Sequence, residues 1–198
     1  MILHCHLIHR EVSARHTSNI YMQTVVLVGT DHNFQRPVDG PHSEGIAQFR
    51  KRIQELVLEY GLAGVAEEMS LSALEEYDVK ESVAQQVCAL LGLSHQFSEP
   101  SSREERYKLG IRQDNDIRVE HMFDDWTDEQ IEADVLARGR IPSDRIREQF
   151  WLRKIQELNA WPLLFICGAN HFVAFSALLK ASGITVLEAH ADWEPSSS

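Results

Sequence analysis

A chain of 198 residues, 43% of them apolar, is long enough to bury one substantial core, which points to a single domain. Its 30 acidic residues outnumber 19 basic ones, giving a formal net charge of −11 that repels a phosphate backbone or an anionic bilayer at long range. No apolar run reaches the length of a membrane span, and Cys5, Cys88 and Cys167 form neither a C-x-x-C pair nor a disulfide framework, the cysteine usage of a reducing cytoplasm.

Residues 1–21 carry His4, Cys5, His6, His9 and His16 without helical period or apolar core, and are expected to be a disordered extension preceding the domain at 22–198. Thr24–Val28 reads as the first strand and a polar loop follows it. Ile46, Phe49, Ile53, Leu56, Val57 and Tyr60 recur at spacings of three and four, one face of a helix stopped by Gly61. A short strand over Leu62–Ala66 leads into Glu67 and Glu68. Val83, Val87, Leu90 and Leu91 form a second helical stripe, and His95–Ser98 a strand closed by Glu99 and Pro100. Residues 101–126 are polar and irregular. Thr127 opens a helix in capping-box form, and Ser143 is expected to cap a longer one. Strand Leu163–Cys167, helix Phe172–Ala181 and strand Ile184–Ala189 complete the chain. This alternation predicts an α/β fold, a mainly parallel central sheet flanked by helices, with a helical insert between about residues 100 and 142 forming a flap over one end.

Two stretches share one pattern. Val25–Val28 runs into Gly29-Thr30-Asp31-His32, and Leu163–Cys167 into Gly168-Ala169-Asn170-His171. An apolar run ended by glycine is a buried strand turning sharply, and in open α/β sheets ligands sit beyond the carboxyl ends of strands. Glu67, Glu68 and Glu99 close other strands, so two imidazoles and several carboxylates are expected at one edge. That mixture suits a divalent ion such as Zn²⁺, Mn²⁺ or Co²⁺, with His32, His171, Glu67 and Glu99 as ligands. His32 and either Glu67 or Glu68 are the catalytic candidates, the carboxylate as a general base. The start of a helix disfavours an imidazolium at His171, and Asn170 is a natural cap. Asp31, Asn170, Arg103 and Arg106 are the substrate-binding candidates. Arg147, Glu148 and Arg153 read as surface ion pairs, and Cys167 as core.

At the two Gly-x-x-His turns and at Glu67-Glu68 the pattern resembles the TraB/Tiki superfamily. The resemblance implies an α/β fold with His32, His171 and one of Glu67 or Glu68 at the site, and Glu99 and Arg106 as a further acidic-then-arginine match. One branch of that superfamily comprises metal-dependent proteases, and erythromycin esterases are distant relatives. The leading expectation is therefore a metal-dependent hydrolase acting on a small-molecule or peptide substrate, the peptide, ester or phosphoester bond being open. A non-catalytic sensor of a nucleotide or other anion in the same cleft is the alternative. A third reading is an interaction module of a larger assembly, docking a partner through residues 121–126; a homo-oligomer is also open. Nucleic acid and membrane are not expected as partners.

Overall fold

The structure, a computed structural model, describes residues 23–38 and 40–196; the extension expected over 1–21 lies outside them. Five strands form one sheet: β1 (Thr24–Thr30), β2 (Gly64–Glu67), β3 (Ser94–Phe97), β4 (Leu163–Gly168) and β5 (Thr185–Trp193). Their order is β3-β2-β4-β1-β5 and every pairing is parallel, as the alternation of strands and helices predicts. β1 and β4 are neighbours at the centre, with Thr30 opposite Gly168. The two Gly-x-x-His turns therefore leave the sheet side by side, and β2, which precedes Glu68, flanks β4.

Alternation along the strands divides the core in two. Val26, Val28, Val65, Leu164 and Ile166 face α2 (Ser43–Tyr60) and α4 (Val83–Leu91). Val25, Leu27, Ala66, Phe165 and Cys167 face α8 (Ile141–Leu158) and α9 (Phe172–Ala181). Gly61 and Gly92 end α2 and α4 in the left-handed conformation, each returning its N–H to a carbonyl of the last turn. Before α2 comes a single turn, α1 (His32–Gln35), capped by Asp31, whose carboxylate accepts the Asn33 N–H at 2.8 Å. α3 (Leu71–Glu75) follows β2 and is capped by Ser70.

The insert is helical, as expected, but more finely divided than its sequence suggests. α5 (Arg103–Lys108), α6 (Asp114–Glu120) and α7 (Asp128–Asp134) lead into a π-helical turn, Val135–Arg140, that continues without a break into α8. α5 and α6 fall within the stretch that reads as irregular. They bury almost nothing of their own, Ile117 being the main apolar anchor, so no periodic stripe betrays them. Ser143 is not a cap: it lies inside α8, and its hydroxyl donates to the Arg112 carbonyl and accepts the Arg112 N–H, fastening the insert to the long helix. Phe123 stands almost wholly exposed at the tip of the insert, while Trp126 stacks on His121 with ring centroids 4.2 Å apart. Among the described residues, no helix is long and apolar enough to cross a membrane.

Candidate functional site

Beyond the carboxyl ends of β2, β4 and β1 lies a cavity of about 350 Å³ whose lining includes His32, Arg36, Glu68, Glu99, Arg106 and Arg147. Glu68 is its pivot. It follows β2, is 3% exposed, and accepts the Gly168 main-chain N–H through Oε2 at 2.6 Å. Its Oε1 lies 3.5 Å from His32 Nε2 and 3.6 Å from His171 Nε2, and is ion-paired with Arg147 Nη2. Burial on its own would raise the Glu68 pKa. The His32 hydrogen bond and the Arg147 charge outweigh it and hold the carboxyl well below its usual range.

The neighbouring glutamate goes elsewhere. Glu67 has the strand parity of Val65 and points to the α4 side, where Oε1 accepts from His95 Nε2 at 2.7 Å and from the Ser82 hydroxyl. Its Oε2 is buried without a partner. The structure therefore does not bring Glu67 to the cleft, neither as ligand nor as base, because the period of two sends consecutive side chains to opposite faces. Glu99 is gathered in, but as an anchor. It accepts from Trp151 Nε1 at 2.7 Å, Arg147 Nε at 3.0 Å and Arg106 Nη2 at 3.4 Å.

His171 is 2% exposed and lies edge-on against Trp151. Arg147 Nη1 sits 3.1 Å from its Nε2, and Glu148 Oε1 sits 3.1 Å from its Nδ1. A guanidinium can only donate, so Nε2 accepts and the proton resides on Nδ1, donated to Glu148. The neutral imidazole expected from a helix dipole is thus set by two side chains of α8 instead. Asn170 caps nothing; it belongs to a single 3₁₀ turn, Ala169–His171, that precedes α9 and has no side-chain cap.

His32 is half-buried at the mouth. Its Nδ1 lies 3.1 Å from the amide of Gln35, a residue with no exposed surface whose Oε1 has no partner. With the amide nitrogen toward Nδ1, the imidazole carries its proton on Nε2, toward Glu68. A half turn of the amide would place that proton on Nδ1 and turn the Nε2 lone pair into the cleft. Burial lowers the His32 pKa, but the hydrogen bond and charge of Glu68 prevail and raise it.

Two side chains that read as surface charges prove central. Arg147 bridges Glu68, Glu99 and His171, and reaches Asp144 Oδ1 at 3.4 Å; Glu148 is 1% exposed. The signal for them was present, since Asp144, Arg147, Glu148, Trp151 and Ile155 recur at three and four, one inward stripe of α8. Arg153, by contrast, stays outside, its guanidinium 5.5 Å from the Phe150 ring.

The remaining candidates divide by place. Asp31 and Asn170 line a second cavity of about 550 Å³ on the other side of His32, with Asp192 and Glu194. Arg106 lines the Glu68 cavity, whereas Arg103 points away to Asp116 Oδ1 at 3.4 Å. Both strand-ending glycines are required for room, not for backbone freedom. Gly168 has φ −61° and ψ 142°, yet a Cβ there would lie 3.1 Å from His32 Nε2, and one at Gly29 would lie 2.1 Å from the Ala191 carbonyl oxygen. Cys167 is core, its thiol pushed far up by burial.

Among the described residues, no three His, Cys, Asp or Glu side chains form a ready-made metal cage. The chemistry of the donors nevertheless fits a borderline divalent ion. Ligands sharing a tetrahedral ion with bonds of about 2.0–2.1 Å lie roughly 3.3 Å apart, close to the 3.5 and 3.6 Å separations at Glu68 Oε1. Glu148 accepts from the far nitrogen of His171, as partners of metal-bound histidines do, and Gln35 would do the same for His32 after a half turn of its amide. Arg147 uses the same Glu68 and His171 atoms, so an ion and this guanidinium compete for them. No protein-family model, no curated protein and no solved structure matches the chain.

Proposed function

We propose that the chain is a metal-dependent hydrolase of the TraB/Tiki kind, working at the carboxyl edge of its sheet. The observation that carries this reading is the approach of His32 Nε2 and His171 Nε2 to one oxygen of the buried Glu68, at 3.5 and 3.6 Å. His32, His171 and Glu68 would hold a Zn²⁺, Mn²⁺ or Co²⁺ ion. Such an ion lowers the pKa of its bound water to about 7, making a nucleophile available for a peptide, ester or phosphoester bond. Glu148 fixes the His171 tautomer, and the Gly168 N–H fixes Glu68. Arg147 is held by Glu99 and Asp144 beside the ligands. Arg106, with a single longer contact to Glu99 at 3.4 Å, can turn to a developing oxyanion of the substrate.

A second reading has its own support. Arg147 and Arg106 together already balance Glu68 and Glu99, a charge arrangement complete without an ion, and Arg36 lies 3.6 Å over the Tyr77 ring on the cavity wall. That arrangement suits a cleft that captures a small anion without turning it over. Elemental analysis of protein purified without chelator, with melting curves in Zn²⁺, Mn²⁺ and Co²⁺, separates the two. The hydrolase reading expects a bound ion and a metal-dependent rise in melting temperature, both lost in His32→Ala and His171→Ala. An ion near saturation at 100 times its Kd adds about 2.7 kcal/mol, equivalent to several degrees in a domain of this size. No ion, no shift and unaltered variants would leave only the anion-binding cleft.

A further inference from the structure

The site does not end at the Glu68 cavity. His32 is shared between that cavity and the one lined by Asp31, Asp192 and Glu194, so open space lies on both sides of the imidazole. At the far end Arg106 is shared with a third cavity of about 950 Å³ between α5 and α6. This largest space has Tyr107, Ile111 and Val119 as apolar walls and Arg103 and Arg112 at its rim. The three spaces of about 550, 350 and 950 Å³ therefore follow one another, with His32 and Arg106 as the side chains shared between neighbours. A single compact ligand occupies roughly 300–1,000 Å³, so three such chambers in series have room for a chain.

Charge changes along the series. Among the described residues, the Asp31 chamber has three carboxylates, Asp31, Asp192 and Glu194, and no lysine or arginine in its lining. The α5–α6 chamber has three guanidinium groups, Arg103, Arg106 and Arg112, against the two carboxylates Asp116 and Glu120. Arg112 is ion-paired with Glu120 and Arg106 with Glu99, whereas Arg103 meets Asp116 only at 3.4 Å and is largely exposed, leaving its donors free to face a ligand. A nucleic acid strand, anionic along its whole length, matches the second chamber and is repelled by the first.

We propose that these chambers form one continuous cleft for an extended polypeptide segment, cationic where it lies over Asp31 and Asp192, apolar and anionic where it enters the α5–α6 groove. The segment crosses His32 in its middle. This assignment rests on the hydrolase reading for what happens at His32, and on the cavities and charges alone for what binds. Arg103, Tyr107, Arg112 and Val119 then select the substrate without touching the reacting bond.

The test uses the full chain and a fluorescein-labelled peptide with lysines at one end, glutamates at the other and leucine and alanine between, read by fluorescence anisotropy and by mass spectrometry of the products. Saturable binding to the wild type is expected, weakened at least about tenfold in Arg103→Glu/Arg112→Glu and in Val119→Asp, with circular dichroism showing both variants folded. A peptide with the charged ends replaced by glutamine and serine should bind correspondingly weakly. Tyr107→Ala, an exposed change that cannot disturb the core, gives the same comparison should Val119→Asp unfold. Failure of the wild type to bind, or equal binding by folded groove variants, overturns the proposal. Normal binding without any cleavage by metal-loaded protein upholds the cleft and removes the peptide bond from the hydrolase reading instead.

Discussion

At Gly168 the main chain passes so close to the site that a methyl group would lie 2.8 Å from Asn170 Oδ1, 3.1 Å from His32 Nε2 and 3.4 Å from Glu68 Oε2. Gly168→Ala is therefore expected to cost about 1–3 kcal/mol of stability and to remove most activity, measured by urea unfolding beside a turnover assay. Full activity in that variant would show that His32 and Glu68 tolerate displacement. The two adjacent glutamates make a sharper pair. Glu67→Gln should lose about 1–3 kcal/mol through its buried Ser82 and His95 partners while keeping the metal and the activity. Glu68→Gln strips Arg147 of a buried counter-charge, at about 3–5 kcal/mol, and should lose both. Metal titration of the two variants decides, and equal loss in both would sink the assignment of faces. That Glu67 and Glu68 face opposite ways was legible in the sequence, but which of them faces the cleft was not, because Val65 and Ala66 are both apolar and both buried. Glu67 shares the parity of Val65, so once Val65 is taken as core on the α4 face, Glu67 must follow it. The tautomer of His171 could not be read either, because Arg147 and Glu148 reach it across 24 and 23 residues of chain.

Among the elements, those with long apolar stripes, α2, α4 and α9, follow their sequence patterns closely, since packing against the sheet decides their boundaries. α5 and α6 do not, being held mainly by caps and ion pairs. α8 shows why charged residues mislead: its inward stripe carries arginine and glutamate where leucine is the usual signal. The insert has a charge device of its own. His121 is buried between Asp124 Oδ2 at 2.8 Å and Asp134 Oδ2 at 2.7 Å, with Arg138 Nη2 at 3.3 Å from the same ring nitrogen that faces Asp134. Asp134 and then Asp124 raise the His121 pKa. A raised histidine stabilises the fold fully below its unfolded value near 6.5 and loses that contribution as pH rises through the folded value. Protection of the amides in α6 and α7, corrected for the base-catalysed intrinsic rate, should therefore fall on going from pH 6 toward alkaline conditions, and His121→Gln should abolish that fall. A variant with the wild-type profile would place the titration elsewhere.

For the molecule as a whole, the proposed function would link metal uptake to proton uptake. An imidazolium cannot ligate an ion, and His32 holds its proton to a higher pH than a free imidazole. The metal-dependent rise in melting temperature should thus shrink as the pH falls. A rise that does not change with pH would mean that His32 is not a ligand. The parallel sheet, its flanking layers and the edge that carries the site follow from the order of strands and helices, which is a property of the entire chain. The strand order is less accessible, because β1 and β4 become neighbours only when β4 slides between β1 and β2.

One element spans all these scales. α7, the π turn and α8 run unbroken from Asp128 to Leu158, about 45 Å at a helical rise of 1.5 Å per residue. Asp134 and Arg138 near one end fasten the insert, and Arg147 and Glu148 farther along fasten the site. The extra residue of the π turn sets the angular phase between the two fastenings, like the key of a crankshaft. Deleting a single residue between Val135 and Arg140 would restore a plain α-helix and rotate the insert about its axis relative to Arg147. Such a deletion would set the Asp134 and Arg138 contacts on one side of the turn against the Ser143–Arg112 fastening on the other, so groove and cleft could not both keep their places.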